Sequence, residues 1–277
     1  MALRSEASLG VPAPRNLMAI TISLCSHKGG VGKSTSAACF ADLLAKEGKK
    51  VLLVDTDSQG NLSGRFGYPP TPRPPMTLGD AVRNILSDEP KPLKEFVLKT
   101  EFENIDIIPN NDSYALAVRD LLKGVMAGVN SYLFLVRELS PGYDYIIFDT
   151  KPSVDSEVQQ ALLASDWVII PMEAADDSIN GAGNMLRFVK GCHKGNPKLR
   201  VAGLFFNAVD MRTTTAKAYV PQMQESWKEL MFKTVIPYSQ DARKAEGIHE
   251  PVTEAFPNGK VAAAFRELLK EVEERVG

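Results

Sequence analysis

Little cysteine, no long apolar run and almost no net charge mark this 277-residue chain, and each shortage excludes a class of protein. Its three cysteines, Cys25, Cys39 and Cys192, are too few and too scattered to staple a small fold or to ligate a structural zinc. They fit a reducing, cytoplasmic setting. No stretch approaches the roughly 18 apolar residues that cross a bilayer. The opening MALRSEASLGVPAPRN carries charge, prolines and glycine but no apolar centre, so it does not read as a secretory signal. With 32 Lys+Arg against 34 Asp+Glu the formal net charge is −2, unlike that of an obligate polyanion binder. Internal repeats are absent, and so is low-complexity sequence outside one proline-rich loop.

What is present suits a large α/β domain. Hydrophobic residues make up 44% and charged residues 24%, enough to fill a substantial core and too ordinary for a disordered or collagen-like chain. The charge is unevenly spread: residues 181–277 carry a net +4 and residues 1–180 a net −6. Between 187 and 233, nine basic residues (Arg187, Lys190, Lys194, Lys198, Arg200, Arg212, Lys217, Lys228, Lys233) face three acidic ones. A basic zone of this kind steers polyanions, and it is also the composition of a solvated helical surface.

Read for order, residues 1–17 form a flexible extension and 18–277 one domain. MAITISL (18–24) is a β-rich run ending at a glycine loop. STSAACFADLLAKEG has helical spacing up to Gly48, and KKVLLVD (49–55) is a second short apolar run ending in an acid. Strand, glycine loop, helix and strand form a βαβ unit whose first two strands run parallel. Five prolines within residues 66–77 make a surface loop, after which Thr77 caps TLGDAVRNIL. NIDIIPN is extended, and Asp112 or Ser113 opens a helix in DSYALAVRDLLKGV. YDYIIFD (143–149), DWVIIP (166–171) and RVAGLFFN (200–207) are fully apolar strands, each followed by a helical segment, and KVAAAFRELLKEVEERV closes the chain. The fold class is therefore α/β: a doubly wound, mostly parallel sheet with helices on both faces.

The strongest chemical signal is His27-Lys28-Gly29-Gly30-Val31-Gly32-Lys33-Ser34-Thr35, an altered G-x-x-x-x-G-K-[ST] loop between a predicted strand and a predicted helix. Glycines let backbone N–H groups curl around phosphate oxygens, and the helix beginning near Ser34 aims its positive end at them. Lys33 would offset β- and γ-phosphate charge while Ser34 offers its hydroxyl to Mg²⁺. Asp55, Asp57 and Asp149 follow strands, where carboxylates converge on the ligand crevice of a parallel sheet. There they can hold Mg²⁺ through water or orient an attacking water, and a lone acid after a strand can equally cap a helix.

KGGVGKST, VDTDSQGN and FDTKPS together resemble the deviant-Walker-A ATPases, the superfamily of ParA, Soj, MinD and nitrogenase iron protein. The resemblance covers roughly residues 18–277. It implies ATP and Mg²⁺ as cofactors, with Lys28, Gly29, Gly30, Val31, Gly32, Lys33, Ser34 and Thr35 around the phosphates. It further implies that Lys28 reaches across an ATP-sandwiched homodimer to the partner's nucleotide. By the same resemblance Asp57 positions the hydrolytic water, and Asp149 is the acid that supports Mg²⁺ through water, with Asp57 beside it. Gln59 and Asn61 fall near the dimer contact, Asn207 meets the adenine edge, Pro237 lies beside the base, and Arg212 matches a post-strand arginine. Where the family has Pro-Pro after the metal-supporting acid, this chain has Lys151-Pro152. Lys151 is thus expected either to snorkel to solvent or to add a cation near the γ-phosphate or the dimer seam.

Among relatives, a MinD-like protein would end in a basic amphipathic membrane helix, whereas RELLKEVEERVG is acidic. The cysteines match no shared iron–sulfur site, and the start is too short for the extra DNA-binding domain of longer plasmid ParAs. The resemblance is to the small Soj-like type. It implies a slow, partner-stimulated partition ATPase of the nucleoid whose ATP dimer binds DNA without sequence preference. The partner would be a ParB-type centromere-binding protein, and no membrane is involved. Arg187, Lys190, Lys194, Lys217, Arg243 and Lys244 are the DNA candidates, followed by Lys260 and Arg266. A positioning ATPase for a protein cargo and an ATP-dependent metabolic ligase are the alternatives.

Overall fold

The computed structural model describes residues 18–112 and 130–277. The extension at 1–17 and the helix expected from Ser113 onward therefore lie outside the described residues. In chain order the strands are β1 (Ile20–Leu24), β2 (Val51–Asp55), β3 (Leu98–Lys99), β4 (Ile105–Ile108), β5 (Tyr145–Asp149), β6 (Trp167–Met172) and β7 (Arg200–Phe206). The helices are α1 (Lys33–Lys46), α2 (Asn61–Arg65), α3 (Leu78–Ile85), α4 (Ser131–Leu139), α5 (Ser156–Leu163), α6 (Asp176–Cys192), α7 (Thr214–Ser226), α8 (Gln240–Gly247), α9 (Val252–Ala255) and α10 (Lys260–Val276).

The seven strands form one sheet in the order β3-β4-β2-β5-β1-β6-β7. All neighbours are parallel except the short edge strand β3, which runs antiparallel to β4 and was not foreseen from sequence. β1 and β2 point the same way, as expected of the βαβ unit, but β5 is inserted between them and pairs with both. That insertion brings the C-terminal ends of β1, β2 and β5 together.

Strand alternation decides what faces what. On β2 and β5, Val51, Leu53, Tyr145 and Ile147 pack with α1 and α10, while Leu52, Val54, Ile146 and Phe148 pack with α3 and α4. Period-two alternation then directs the terminal acids Asp55 and Asp149 to the α1 side. α1 is held there by an almost wholly apolar inner face and by an edge-to-face contact of Phe40 with Phe265 of α10, centroids 6.0 Å apart. The other half of the second face is completed by α5, α6 and α7 over β6 and β7. Thr77 caps α3 as expected, in a reciprocal capping box with Asp80.

Candidate functional site

The phosphate loop occupies the crevice where β1 gives way to α1. Gly30 and Gly32 adopt the left-handed backbone, with φ of +76° and +86°, a conformation glycine enters without steric cost. Gly32 is also the residue that precedes α1, so no side chain caps the helix, and no acid lies in its first turn. The first N–H groups of a 14-residue helix are thereby left to an anion from outside.

Gly32 has a second reason to lack a side chain. A Cβ there would fall 2.0 Å from Nδ2 of Asn207. Asn207, buried at the end of β7, donates from that nitrogen to the Val31 carbonyl at 2.8 Å. The residue expected at the adenine edge thus braces the loop itself, across 176 positions of sequence. Pro237 lies alongside, in a parallel bridge with Val209. We predict that Gly32→Ala, which both strains the backbone and strikes Asn207, lowers nucleotide affinity at least a hundredfold, measured by titration of a fluorescent nucleotide.

Lys33, the first residue of α1, is buried, 7% exposed. Burial lowers its pKa, and the Asp149, Cys25 and Asp57 charges work in the opposite direction. Asp149 is fully buried, and neither carboxylate oxygen has a hydrogen-bond partner of full geometry. Desolvation, then the facing Asp55 carboxylate, push its pKa up, while the Ser34 hydroxyl and the Lys33 ammonium pull it back. A buried acid faced by a second carboxylate and by one ammonium is short of positive charge. The donor set fits Mg²⁺, which keeps most of its waters and takes one or two carboxylates plus phosphate oxygens. Among the described residues no group of three His, Cys, Asp or Glu forms a protein-only metal cage. Ser34 and Asp149 would hold the ion, with Asp57 in reach through water.

Asp55 turns out to be a bracket. Its Oδ2 accepts from the Ser63 N–H at 2.9 Å and hydroxyl at 2.6 Å, and its Oδ1 from the Asp57 N–H at 3.0 Å. These bonds fix the turn that carries Asp57, whose own Oδ1 accepts from the Gln59 N–H at 3.1 Å. Thr56 and Thr150 lock the strand ends together through their hydroxyls, on the carbonyls of Asp149 and Leu24. Thr35 does not face outward: its hydroxyl accepts from Arg65 Nη2 at 3.2 Å, and Arg65 is buried with Glu246 3.4 Å away. Arg65 escaped the sequence reading because nothing local marks an arginine at the end of a five-residue helix.

Lys28 is half-exposed at the front of the loop and forms an ion pair with Glu173, Nζ to Oε2 2.8 Å. Glu173 was missed, although it follows β6 directly, in the position that singled out the other strand-end acids. Lys151 takes neither expected course. Its ammonium is gripped by Asp155 at 2.8 Å and Glu157 at 2.6 Å. Asp155 also caps α5, accepting from the N–H groups of Glu157 and Val158. Against the cost of burial, Lys151 and these bonds keep the Asp155 carboxyl below its usual range. Pro152 meanwhile packs over Gly29. Lys151→Ala should therefore leave nucleotide affinity within about twofold and cost about 1 kcal/mol of stability, read by thermal unfolding.

The basic candidates are exposed but dispersed. Arg187 and Lys190 ride on α6, Lys194 follows it, Lys217 is on α7, and Arg243 and Lys244 are on α8. α6 and α7 pack on one face of the sheet and α8 on the other. Arg212 is fully exposed and engages Asp210.

Known proteins resemble this chain in sequence and in fold. An AAA domain model matches residues 19–201. The sporulation initiation inhibitor protein Soj of Bacillus subtilis is 30% identical over 91% of this chain and 97% of its own. The chromosome-partitioning ATPase Soj of Thermus thermophilus is also 30% identical, over 92% of this chain and 96% of its own. Among solved structures, cobyrinic acid a,c-diamide synthase of Mycobacterium smegmatis with bound ADP and magnesium superposes with a TM-score of 0.76 at 25% identity, covering 91% of this chain and 93% of that one. The chain belongs to the AAA domain family, as a P-loop ATPase of the ParA/MinD superfamily.

Proposed function

We propose that the chain is a partition ATPase that dimerises on ATP, binds DNA without sequence preference and is stimulated to hydrolyse by a ParB-type DNA-bound partner. The observation that carries this reading is the division of labour between two lysines of one loop. Lys33 is buried and feels the Asp149 charge, whereas Lys28 stands half-exposed at the rim, available to a neighbour's phosphates once it leaves Glu173. Likeness to the chromosome-partitioning ATPase Soj of Thermus thermophilus supports it as well.

The uncapped end of α1 and Lys33 would hold the β- and γ-phosphates, and Asn207 keeps the loop in register for them. Mg²⁺, held by Ser34 and Asp149, would supply charge neutralisation for the phosphates. Asp57 orients the attacking water, and Asp55 fixes Asp57. Catalysis is then positional and electrostatic, with Lys28 of a second copy completing the cationic cradle. The bound dimer would reside on the nucleoid.

A second reading has one observation in its favour: the structural likeness to a synthase holding ADP and magnesium, which makes a carboxylate-activating ligase the alternative. Binding to a random-sequence duplex separates the two. The partition reading expects tight binding with ATP, none with ADP or without nucleotide, and a steep fall with salt, because counterion release drives it. ATP hydrolysis without DNA binding would favour the ligase.

A further inference from the structure

β1 and β6 run side by side with Leu24 level with Ile169, so the segments leaving them emerge together at the crevice. That neighbourhood delivers Glu173 to Lys28, with side chains 38% and 40% exposed. Carboxylate and phosphate are competing partners for one ammonium. We propose that Glu173 is a positioning residue for Lys28: it holds the ammonium within its own chain until the phosphates of a second copy's nucleotide replace it. Glu173 thereby sets the nucleotide level at which two copies associate. The inference rests on the reading that Lys28 serves a partner's nucleotide.

The exchange is feasible because both side chains stay half in water, so no buried charge is stranded when they part. An exposed pair weights an equilibrium by about two- to fivefold. A two-fold symmetric dimer breaks two such pairs, which multiplies to about four- to twenty-five-fold. Once released, the Glu173 carboxylate also faces incoming phosphate of like charge, which acts in the same direction. A diphosphate offers less negative charge than a triphosphate, so the latch favours the ADP form staying monomeric.

The test is sedimentation equilibrium of the full chain across a range of Mg²⁺ and AMPPNP concentrations, for wild type, Glu173→Gln and Glu173→Asp. Glu173→Gln should lower the AMPPNP midpoint for dimerisation about fourfold or more, and Glu173→Asp, which keeps the charge, should fall between it and wild type. Two further readouts guard against a merely structural effect: AMPPNP affinity of the dilute monomer and the unfolding midpoint without nucleotide should both stay unchanged. If wild type dimerises and Glu173→Gln needs as much AMPPNP or more, the latch is wrong. If wild type stays monomeric at saturating AMPPNP, the dimer reading beneath it fails, and the latch with it.

Discussion

Lys28→Ala is expected to bind ATP as a monomer within about threefold of wild type and to lose ATP-dependent association with DNA by two orders of magnitude or more. The asymmetry follows from position. Lys33 and the α1 N-terminus serve the nucleotide of their own chain, and Lys28 stands outside that group, half-exposed and paired with Glu173. In a symmetric dimer two Lys28–phosphate contacts disappear together. Each charge-assisted hydrogen bond contributes about 1.5–3 kcal/mol, so the pair accounts for about 10²–10⁴ in the dimerisation constant. DNA binding would follow, since each copy alone presents only part of the basic surface. Filter retention of a random duplex, beside nucleotide titration of the same preparation, measures both effects. Equal losses in the two assays would place Lys28 in its own chain's phosphate site and contradict the trans assignment.

Asp149→Asn should separate stability from activity in the opposite sense. In the folded chain burial and the Asp55 carboxylate raise the Asp149 pKa, so the folded state holds this proton more tightly than the unfolded state does. Stability from the protonated form is fully present below the ordinary carboxylate value near 4 and is lost as pH rises through the raised folded value. At pH 8 and without Mg²⁺, ionising this buried carboxyl, whose folded value is pushed up to about 8, is therefore a cost that asparagine does not carry. Its amide can donate toward Asp55. The variant is expected to unfold several degrees higher than wild type at pH 8 in EDTA, a gain on the order of 1–2 kcal/mol, and to show little gain near pH 4. Its ATP turnover should fall on the order of a hundredfold, because the ion loses its water-bridged anchor. Differential scanning calorimetry at the two pH values checks the first part. A destabilised variant at pH 8 would mean that Asp149 is satisfied in the free protein by a group other than the ion.

The loop and the strand-end acids were legible in the sequence because their signals are local. Glycines at 30 and 32 with a lysine and a hydroxyl at 33 and 34, and the apolar runs that end in Asp55 and in Asp149, are each patterns confined to a few consecutive residues. The insertion of β5 between β1 and β2 was not legible, since parallel pairing is set by packing between segments about a hundred residues apart, and no short-range pattern encodes it. Asn207 shows the same limit. Its residue type suited a base edge, and only the folded chain brings its amide onto the Val31 carbonyl. Lys151 is the converse case. Its partners are four and six residues ahead, and Asp155 is a natural cap for α5, so the ion cluster could have been read from spacing alone. Glu173 obeys the strand-end rule that found Asp55 and Asp149.

The dispersal of Arg187, Lys190 and Lys217 from Arg243 and Lys244 over two faces of the sheet bears on how DNA would be held. A single copy offers two separate basic areas, which is consistent with a dimer presenting a combined surface and with weak binding by the monomer.

Nucleotide-switched dimerisation on DNA can be read in one sedimentation-velocity experiment: wild-type chain and a labelled random duplex, with Mg²⁺ and either ATP or ADP, followed at the wavelengths of both. ATP is expected to move the protein from monomer to dimer, with the duplex co-sedimenting with the dimer alone, while in ADP protein and duplex sediment separately. Monomers travelling with the duplex in ADP, or ATP dimers that leave the duplex behind, would contradict it.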